Sequence, residues 1–391
     1  MSLLILNQMK FKSLKKIHGS GFYEALQIAK RLRKVVFLAF TSRKTILKRK
    51  FRENFFIYAY PLQLKFENFA KDFLDLIRNF LGIIIFISKL VKEHDISYIR
   101  AENVIIWGIV AYIISKLRKI PFSVYIVGDE IEAIRQKYKI RILPIVEKLL
   151  LFIYNRILAS ADNVATNLVD VYKNARRIAK RTYFLPTYVD PENFTCKREI
   201  LTDKTVKFLY VGRLEREKGI DVLIKALNIV TEHYKDLNFK FYIIGHGLFQ
   251  QKIKELAEKD ARIIYIGMVD YKEMPKWYNQ VDVIVIPSRT EGMPAVLLEA
   301  ALCKRLVIVT PVGSMPLLVK NDKYGLITKK DDPQALVEAI LRVLHLHQKQ
   351  TDMLQKIVEN AHRRARAILK LYLRNIGKHI PIEHLTYRYG S

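Results

Sequence analysis

Residues 281–300 read VDVIVIPSRTEGMPAVLLEA, a β-branched apolar run followed almost at once by a segment suited to a helix. The run stops at Pro287 and is typical of a buried strand in a parallel sheet. Pro294 fits the first turn of the following helix, whose buried face is supplied by apolar residues: Val296, Leu297 and Ala300. The stretch therefore predicts a strand–loop–helix unit of an α/β fold.

The same stretch contains two glutamates, Glu291 and Glu299. Glu291 falls in the loop at the carboxyl end of the predicted strand, and Glu299 lies about one and a half turns into the helix. Ligands of open α/β sheets bind in the crevice at this end of the strands, where the free N–H groups of a helix start favour anions. Both carboxylates can face that crevice. A pair of solvated surface glutamates is the alternative.

Length and composition favour a large globular protein. The chain has 391 residues, of which 50% are hydrophobic, which is enough for two domains of ordinary size. Residues 103–115 form a long uncharged apolar stretch that is still shorter than the ~18–20 residues that a spanning helix needs. The amino terminus lacks the basic region of a secretory signal. Cys196 and Cys303 are isolated, which argues against a disulfide framework or a zinc site and predicts a cytoplasmic protein.

The formal net charge of +29 calls for an anionic partner or surface. Residues 1–52 hold fourteen Lys or Arg against one acidic residue, Glu24, and the densest cluster spans residues 42–52. Apolar residues are interleaved with this cluster or follow it: Ile46, Leu47, Phe51, Phe55 and Phe56. The mixture favours a patch that meets anionic lipid, so we expect a peripheral protein on the inner face of the membrane. Nucleic acid binding and a solvated lysine-rich face are the alternatives.

Strand-like and helix-like segments alternate along the whole chain, as in βα repeats. The polar residues 195–205 are typical of a linker, and a second α/β unit begins with a strand at 206–211. We predict an amino-terminal domain over residues 1–195, a carboxyl-terminal domain over 196–360, and a helical segment over 361–391 that packs back on the first domain. Further strands are predicted at 239–244, 262–266 and 306–310, and Asp332 is the predicted N-cap of a helix that starts at Pro333.

Arg213 and Lys218 flank a turn between Gly212 and Gly219, directly after the predicted strand at 206–211. A guanidinium fork and an ammonium group at one strand end form a site for phosphate. Fixed cations there could stabilise the charge that a nucleotide-diphosphate leaving group gains as its bond to a sugar breaks. No Asp-x-Asp pair occurs in the sequence, which gives little support to a mechanism that depends on a metal.

Several segments together resemble the retaining GT-B glycosyltransferases, the glycosyl transferases group 1 (family 4) that include glycogen synthase-like enzymes and lipid mannosyltransferases. The matching segments are YVGRLEREKGI at 210–220, IIGHG at 243–247, YIGMV at 265–269, WYNQVDVIVIPS at 277–288, the two-glutamate motif and YGLI at 324–327. The match is strong over residues 206–345 and weaker over 1–190. The resemblance implies an α/β protein of the GT-B class, with two Rossmann-like doubly wound domains facing a central cleft.

The resemblance also implies roles for individual residues. Glu291, Arg213 and Lys218 would be catalytic, with Glu291 near the 3-hydroxyl of the donor sugar. Glu299 would hold the ribose, and the rest of the donor site would be backbone: Gly292, Met293, Ala295 and Val296 at the sugar and phosphate, and Gly267, Met268 and Val269 at the base. Independently of the resemblance, Gly19, Ser20 and Gly21 form a predicted loop after the first strand, which either lets backbone approach the donor from the other domain or is an ordinary turn. No metal is implied, and no cofactor beyond the nucleotide-diphosphate sugar.

The chain departs from the family pattern in its first half. Where many relatives have His-Gly, this sequence has Val127-Gly128-Asp129-Glu130, and Asp129 either substitutes on the acceptor side or caps a helix. The main hypothesis is a retaining enzyme that transfers a sugar to a lipid-linked or membrane-proximal acceptor. A catalytically degenerate scaffold that binds nucleotide or anionic membrane is the alternative. Nucleic acid binding rests on charge alone, without a recognised reader motif.

Overall fold

The computed structural model describes residues 1–11, 20–41, 44–61, 69–127, 144–319 and 323–380. The chain divides into two compact units. The first unit comprises residues 1–186 together with 371–391, and the second comprises residues 187–370. Across the described ranges, no helix combines the length and the apolar character that crossing a membrane requires.

The described part of the first unit contains one eight-stranded sheet with the order β3-β4-β2-β1-β5-β6-β7-β8. Its strands pair in parallel, except that β3 runs antiparallel to β4 at one edge. The strands are β1 Ser2–Phe11, β2 Lys34–Thr41, β3 Leu47–Arg52, β4 Phe55–Pro61, β5 Tyr98–Glu102, β6 Phe122–Ile126, β7 Asn163–Thr166 and β8 Thr182–Phe184. From β4 to β7 the order is the 3-2-1-4-5-6 of a doubly wound sheet.

Helices cover this sheet, so its central strands are buried on both faces. In β2 every residue after Lys34 is buried, which explains its continuous apolar run. The helices are α1 Ser20–Ala29, α2 Phe69–Glu93, a π-helical segment Val104–Gly108 that continues into α3 Ile109–Arg118, α4 Pro144–Ser160 and α5 Val169–Ala175. Trp107 is fully buried and stacks on Phe40 with ring centroids 4.6 Å apart.

The basic cluster of residues 42–52 differs from its predicted arrangement. Residues 42 and 43 lie outside the described ranges, and Leu47–Arg52 forms the edge strand β3. Phe55 is fully buried, and Phe51 packs edge-on against it with centroids 6.1 Å apart. Of the five apolar residues in the predicted patch, only Ile46 is exposed, at 44%, and the others are half-buried or buried. Lys48, Arg49 and Lys50 are all exposed on this edge strand, and the ammonium groups of Lys48 and Lys50 lie over the rings of Tyr58 and Phe56 of β4.

The last helix, α12 Thr351–His379, begins in the second unit, and its residues from Leu371 onward belong to the first. There Tyr372 donates a hydrogen bond to Glu24 at 2.9 Å, and Asn375 donates to the carbonyl of Phe184 at 2.7 Å. The helix ends at His379, whose carbonyl accepts from Tyr98 and Asn163. These side chains take the place of helical N–H donors at the carboxyl end of α12.

A group of charged and polar side chains lies inside the first unit, and we call it the arginine cluster. Arg100 is fully buried and donates to Glu24 at 2.8 Å. Its Nη2 lies 3.7 Å from Glu102, which in turn accepts from Asn7. The Arg100 guanidinium also lies over the Tyr125 ring at 4.6 Å. Burial raises the pKa of Glu102, Arg100 partly offsets this shift, and Glu24 adds to it.

The described part of the second unit has one parallel sheet with the order β11-β10-β9-β12-β13-β14, again 3-2-1-4-5-6. The strands are β9 Val206–Val211, β10 Phe239–Ile244, β11 Ile263–Gly267, β12 Val283–Ile286, β13 Leu306–Val309 and β14 Leu326–Ile327. The helices before α12 are α6 Ile220–His233, α7 Gln250–Lys259, α8 Met274–Gln280, α9 Ala295–Leu302, α10 Met315–Leu318 and α11 Pro333–Lys349. The predictions for β9, β10 and the start of α11 are confirmed to the residue.

Candidate active site

The loop after β9 forms a tight turn against the end of β12. A short 3-10 helix, Arg216–Lys218, is followed by Gly219 with a φ of 68°, from which α6 begins. A Cβ at Gly219 would lie 1.9 Å from the carbonyl oxygen of Pro287, so only glycine fits without moving the backbone. This close approach brings Lys218 next to the loop that carries Glu291.

Lys218 and Glu291 form an ion pair with Nζ and Oε1 2.7 Å apart, although 73 positions separate them in the sequence. The same oxygen accepts from the Ser288 hydroxyl at 2.8 Å. The Lys218 side chain is 24% exposed and that of Glu291 is 10% exposed. An ammonium group has three N–H donors, so Lys218 can contact an anion while keeping Glu291 in place.

Arg213 is the more open of the two predicted cations. Its side chain is 61% exposed, and its guanidinium pairs with Glu217. The Arg213 backbone is held in place by Tyr210, whose buried hydroxyl donates a hydrogen bond to the Arg213 carbonyl at 2.7 Å. Burial raises the pKa of Tyr210 and keeps this donor protonated. Arg213 is thus anchored through its main chain, while its side chain sits at the surface.

Arg289 was missed by the sequence analysis, although it lies between Ser288 and Glu291. Its guanidinium contacts both oxygens of Asp221 at 2.6 and 2.9 Å. Its Nε lies 2.5 Å from Asp331, and its backbone N–H donates to the Glu217 carbonyl at 2.9 Å. A bidentate pair of this kind holds a loop in one geometry. Arg289 therefore ties the loop after β12 to the turn that carries Lys218.

Glu299 has different surroundings from Glu291. It is 3% exposed, and its two oxygens accept from the hydroxyls of Tyr271 at 2.9 Å and Tyr278 at 2.6 Å. Burial raises its pKa to about 6, while the two tyrosines pull in the opposite direction. Phe194 packs against both tyrosine rings, with centroids 5.7 and 5.6 Å away. Sequence reasoning found neither tyrosine, and the role of Glu299 toward ribose remains a prediction.

The backbone between Glu291 and α9 is held from two sides. Gly313 has a φ of 58°, and a Cβ there would lie 2.0 Å from the Glu291 carbonyl. Ser314 donates its backbone N–H to Gly292 at 2.8 Å, and Thr187 donates its hydroxyl to Met293 at 2.5 Å. Helix α9 then begins at Ala295, and Val296 follows in its first turn. The first N–H groups of a helix lack intrahelical partners and favour an anion.

The remaining predicted donor residues lie elsewhere. Strand β11 ends at Gly267 with a φ of 86°, followed by Met268, 69% exposed with its sulfur 3.0 Å from His246 Nδ1, and by Val269. Ser20 and Gly21 open helix α1 of the first unit, whereas a loop was predicted. Gly19 and Asp129 lie outside the described residues. The structure thus brings Lys218 and Glu291 into contact and places Glu299 among tyrosines.

Solved structures share the fold of the chain. Sucrose-phosphate synthase of Thermosynechococcus elongatus superposes with a TM-score of 0.72 and 18% identity, over 97% of this chain and 98% of that one. HepE of Anabaena, in complex with UDP and glucose, gives 0.70 and 17% over 97% and 99%. Identities this low show the fold alone. The predicted GT-B class, with two Rossmann-like units, is confirmed.

Residues 205–346 match the family model described as Glycosyl transferases group 1. An uncharacterized glycosyltransferase of Methanocaldococcus jannaschii is 32% identical over 139 residues, which is 35% of this chain and 38% of that protein. The chain thus spans less than half the length of the first curated relatives that it matches. It carries a glycosyl transferases group 1 domain, and the family resemblance read from its motifs holds.

Proposed function

We propose that the protein is a retaining glycosyltransferase that moves a sugar from a nucleotide-diphosphate sugar to a lipid-linked or membrane-proximal acceptor. The contact between Lys218 and Glu291 is the observation that carries this proposal. It places a cation beside a carboxylate and close along the chain to the start of α9, at the carboxyl edge of the β9 and β12 strands. Ligands of doubly wound sheets bind at this edge.

The charges of the site suit a diphosphate leaving group. Lys218 would hold one phosphate at the pair with Glu291, and Arg213, whose side chain is 61% exposed, would exchange Glu217 for the other. Both would stabilise the negative charge that develops as the sugar–phosphate bond breaks. Because these cations are supplied by side chains, we propose that transfer needs neither a metal ion nor a cofactor.

The two glutamates would divide the recognition of the donor. Glu291, oriented by Lys218 and Ser288, would accept a hydrogen bond from a sugar hydroxyl. Glu299 would accept from the ribose. An ionised carboxylate offers about four lone-pair sites, and the two tyrosine hydroxyls occupy two of them. HepE, which shares the fold, is in complex with UDP and glucose, which supports a nucleotide sugar as donor.

The acceptor is proposed from charge. A net charge of +29 favours an anionic surface, and a lipid-linked acceptor presents its head group there. We therefore place the enzyme peripherally on the inner face of the membrane. The departure at Val127–Glu130 favours the second candidate, a degenerate scaffold that binds donor without transferring sugar.

The test is a thermal-shift screen of the full chain against UDP-, GDP- and ADP-sugars, followed by donor turnover. A ligand at 100 times its dissociation constant stabilises the folded state by about 2.7 kcal/mol. We expect one nucleotide class to raise the Tm and its sugar to be transferred with retained anomeric configuration. A shift without transfer or hydrolysis supports the scaffold, and no shift with any donor contradicts both. Loss of activity in EDTA that manganese or magnesium restores would show that a metal is required.

A further inference from the structure

Three helices of the first unit expose large apolar side chains to solvent. On α2, Leu81 and Ile85 are each 69% exposed. Leu117, next to the last residue of α3, is 63% exposed. On α4, Leu149 is 57% and Phe152 is 69% exposed. Helix α2 contacts α3, and α3 contacts α4, so the three lie side by side over one core. We call their solvent side the helical face.

These side chains are separate from the core that the same helices form. Along α2, Ile83, Ile87 and Leu90 are buried, whereas Leu81 and Ile85, one turn apart, occupy the outward side. Solvent-facing positions of a helix that only covers a sheet are normally polar. Several exposed large apolar residues on adjacent helices mark a surface that meets another apolar phase.

The helical face is also basic. Its exposed cations include Lys89, Lys92, Lys116, Arg118, Lys148 and Arg156. On the described side chains of the same helices the acidic residues are Glu93 and Glu147. Glu93 is paired with Lys48 of β3 at 3.1 Å. That ion pair places the cations of β3 beside the carboxyl end of α2, so the basic strand borders the helical face.

We infer that the helical face docks on an anionic lipid bilayer, with Leu81, Ile85, Leu149 and Phe152 entering the interface. Apolar side chains ringed by lysine and arginine suit this boundary, because their stems and rings enter the acyl region while their charges meet lipid phosphates. The inference rests on the membrane-proximal acceptor of the proposed function. It moves the docking surface from β3, beside which Phe55 is buried and Phe51 and Phe56 are half-buried, to the helices, and β3 adds charge at the border.

Co-sedimentation with phosphatidylcholine vesicles, with and without phosphatidylserine, tests whether the apolar side chains of the helical face contribute to membrane binding. The variant replaces Leu81, Ile85, Leu149 and Phe152 with serine, and Leu248→Ser, at an 85% exposed position in the second unit, is the matched control. Burying one large apolar side chain changes an equilibrium about tenfold or more. We expect the variant with all four serine substitutions to bind anionic vesicles at least about 100-fold more weakly than wild type. The Leu248→Ser control should bind as wild type does.

Salt and charge separate the helices from the strand. A triple variant in which Lys48, Arg49 and Lys50 are each changed to glutamate should bind anionic vesicles more weakly at low salt, by about fivefold per basic residue removed. The loss should become smaller as salt is raised. The charge-matched control changes Lys252, Lys254 and Lys259 of α7 to glutamate and should leave binding unchanged. Wild-type binding that persists at high salt and is lost in the serine variant supports the helical face. Equal binding by the serine variant and wild type overturns it, and so does equal binding to neutral and anionic vesicles.

A spectroscopic probe keeps the test independent of folding losses in the serine variant. Phe152→Trp should show a blue-shifted emission and quenching by brominated lipid, while Leu248→Trp should show neither. No difference between the two tryptophan variants overturns the inference.

Sedimentation velocity tests whether the helical face binds a second copy of the chain in place of a bilayer. A wild-type dimer that becomes monomeric in the serine variant would make this face a contact between copies and would overturn the inference.

Donor turnover is measured in parallel, so that the docking surface and the proposed function can fail separately. Vesicle binding without turnover contradicts the proposed function and leaves the docking surface standing. Turnover without vesicle binding overturns the docking surface and leaves the transferase activity standing.

Discussion

Each unit pairs a basic side chain with a glutamate, but the two pairs differ in how far they are closed off from water. In the first unit, Arg100 and Glu24 have side chains that are 0% and 7% exposed, and Tyr372, Glu102 and Asn7 complete the arginine cluster. In the second unit, Lys218 is 24% exposed and Glu291 is 10% exposed. The first pair is enclosed by protein, whereas the second stays open on the lysine side.

This difference in exposure separates a structural pair from one that can bind a ligand. Two carboxylates, an aromatic face and the carboxyl-terminal part of α12 lie around Arg100. Removing one partner from such a buried group leaves an uncompensated charge. Lys218 directly precedes Gly219, whose positive φ brings this turn against Pro287, and it keeps donors available for a phosphate. A basic–acidic pair therefore indicates function only together with its accessibility.

The largest effect is expected for Arg100→Met. The substitution keeps an apolar stem of similar length but leaves Glu24 and Glu102 without their cation, so the free energy of unfolding should fall by about 3–5 kcal/mol. Urea denaturation followed by circular dichroism measures the change. The matched control is Arg33→Met, because Arg33 is 70% exposed and pairs with Asp95 at 3.7 Å at the surface of the same unit.

The Arg33 control should lose no more than about 1 kcal/mol, as for exposed ion pairs. Adding Glu24→Gln and Glu102→Gln to Arg100→Met should recover part of the loss, because the buried negative charges are then removed as well. Equal destabilisation by the Arg100 and Arg33 variants would contradict the expectation that a buried ion pair contributes more to the free energy of unfolding than an exposed one.

A smaller effect, on turnover and not on folding, is expected for Lys218→Ala. The loss of one charge-stabilising group from the site should lower kcat about 100-fold, which corresponds to ~2.7 kcal/mol of transition-state stabilisation. Thermal melting should change little, because the side chain is partly exposed. Lys225→Ala, at an exposed position on the neighbouring helix α6, is the matched control and should keep wild-type turnover. A kcat of the Lys218→Ala variant within threefold of the wild-type value would contradict the proposed role of Lys218 in binding a phosphate of the donor.

The smallest effect concerns Glu299, whose pKa is raised by burial from 4.5 to about 6. Below pH 4.5 this carboxyl is protonated in both the folded and the unfolded chain. As pH rises toward 6, the unfolded chain loses the proton first, so the contribution of Glu299 to the unfolding free energy falls by about 2 kcal/mol and then stays constant. Glu299→Gln lacks this dependence, since an amide does not titrate.

Urea denaturation of wild type and Glu299→Gln at several pH values between 4 and 8 isolates this contribution, because other titrating groups cancel in the difference. The unfolding free energy of wild type minus that of the variant should decrease across the window from pH 4.5 to 6. Two curves that stay parallel would mean that the tyrosine hydroxyls stabilise the carboxylate enough to cancel the cost of burial.

Local patterns predicted much of the second unit. Strands β9 and β10 and the start of α11 were predicted to the residue, and Asp332 accepts from the Ala335 N–H at 3.1 Å, as an N-cap does. The first unit was harder. Helix α2 and the strands β3 and β4 were not predicted, and the helix after Asn103 begins with a π-helical segment. Basic residues interleaved with apolar ones fit a lipid-facing patch and an edge strand equally well, and local sequence gives no means of choosing.

The sequence alone determined the fold class and the identities of the charged residues in the second unit, because strand and helix periodicities and the glycine positions are local properties of the chain. Tertiary structure decided which partners those residues contact and how exposed they are. The contact of Lys218 with Glu291 joins residues 73 positions apart, and the tyrosine partners of Glu299, the Arg289 brace and the inward side of Phe55 likewise depend on which loops and strands become neighbours. Packing fixes these neighbours, and with them the exposure and pKa of each charge, because both depend on burial by residues distant in sequence.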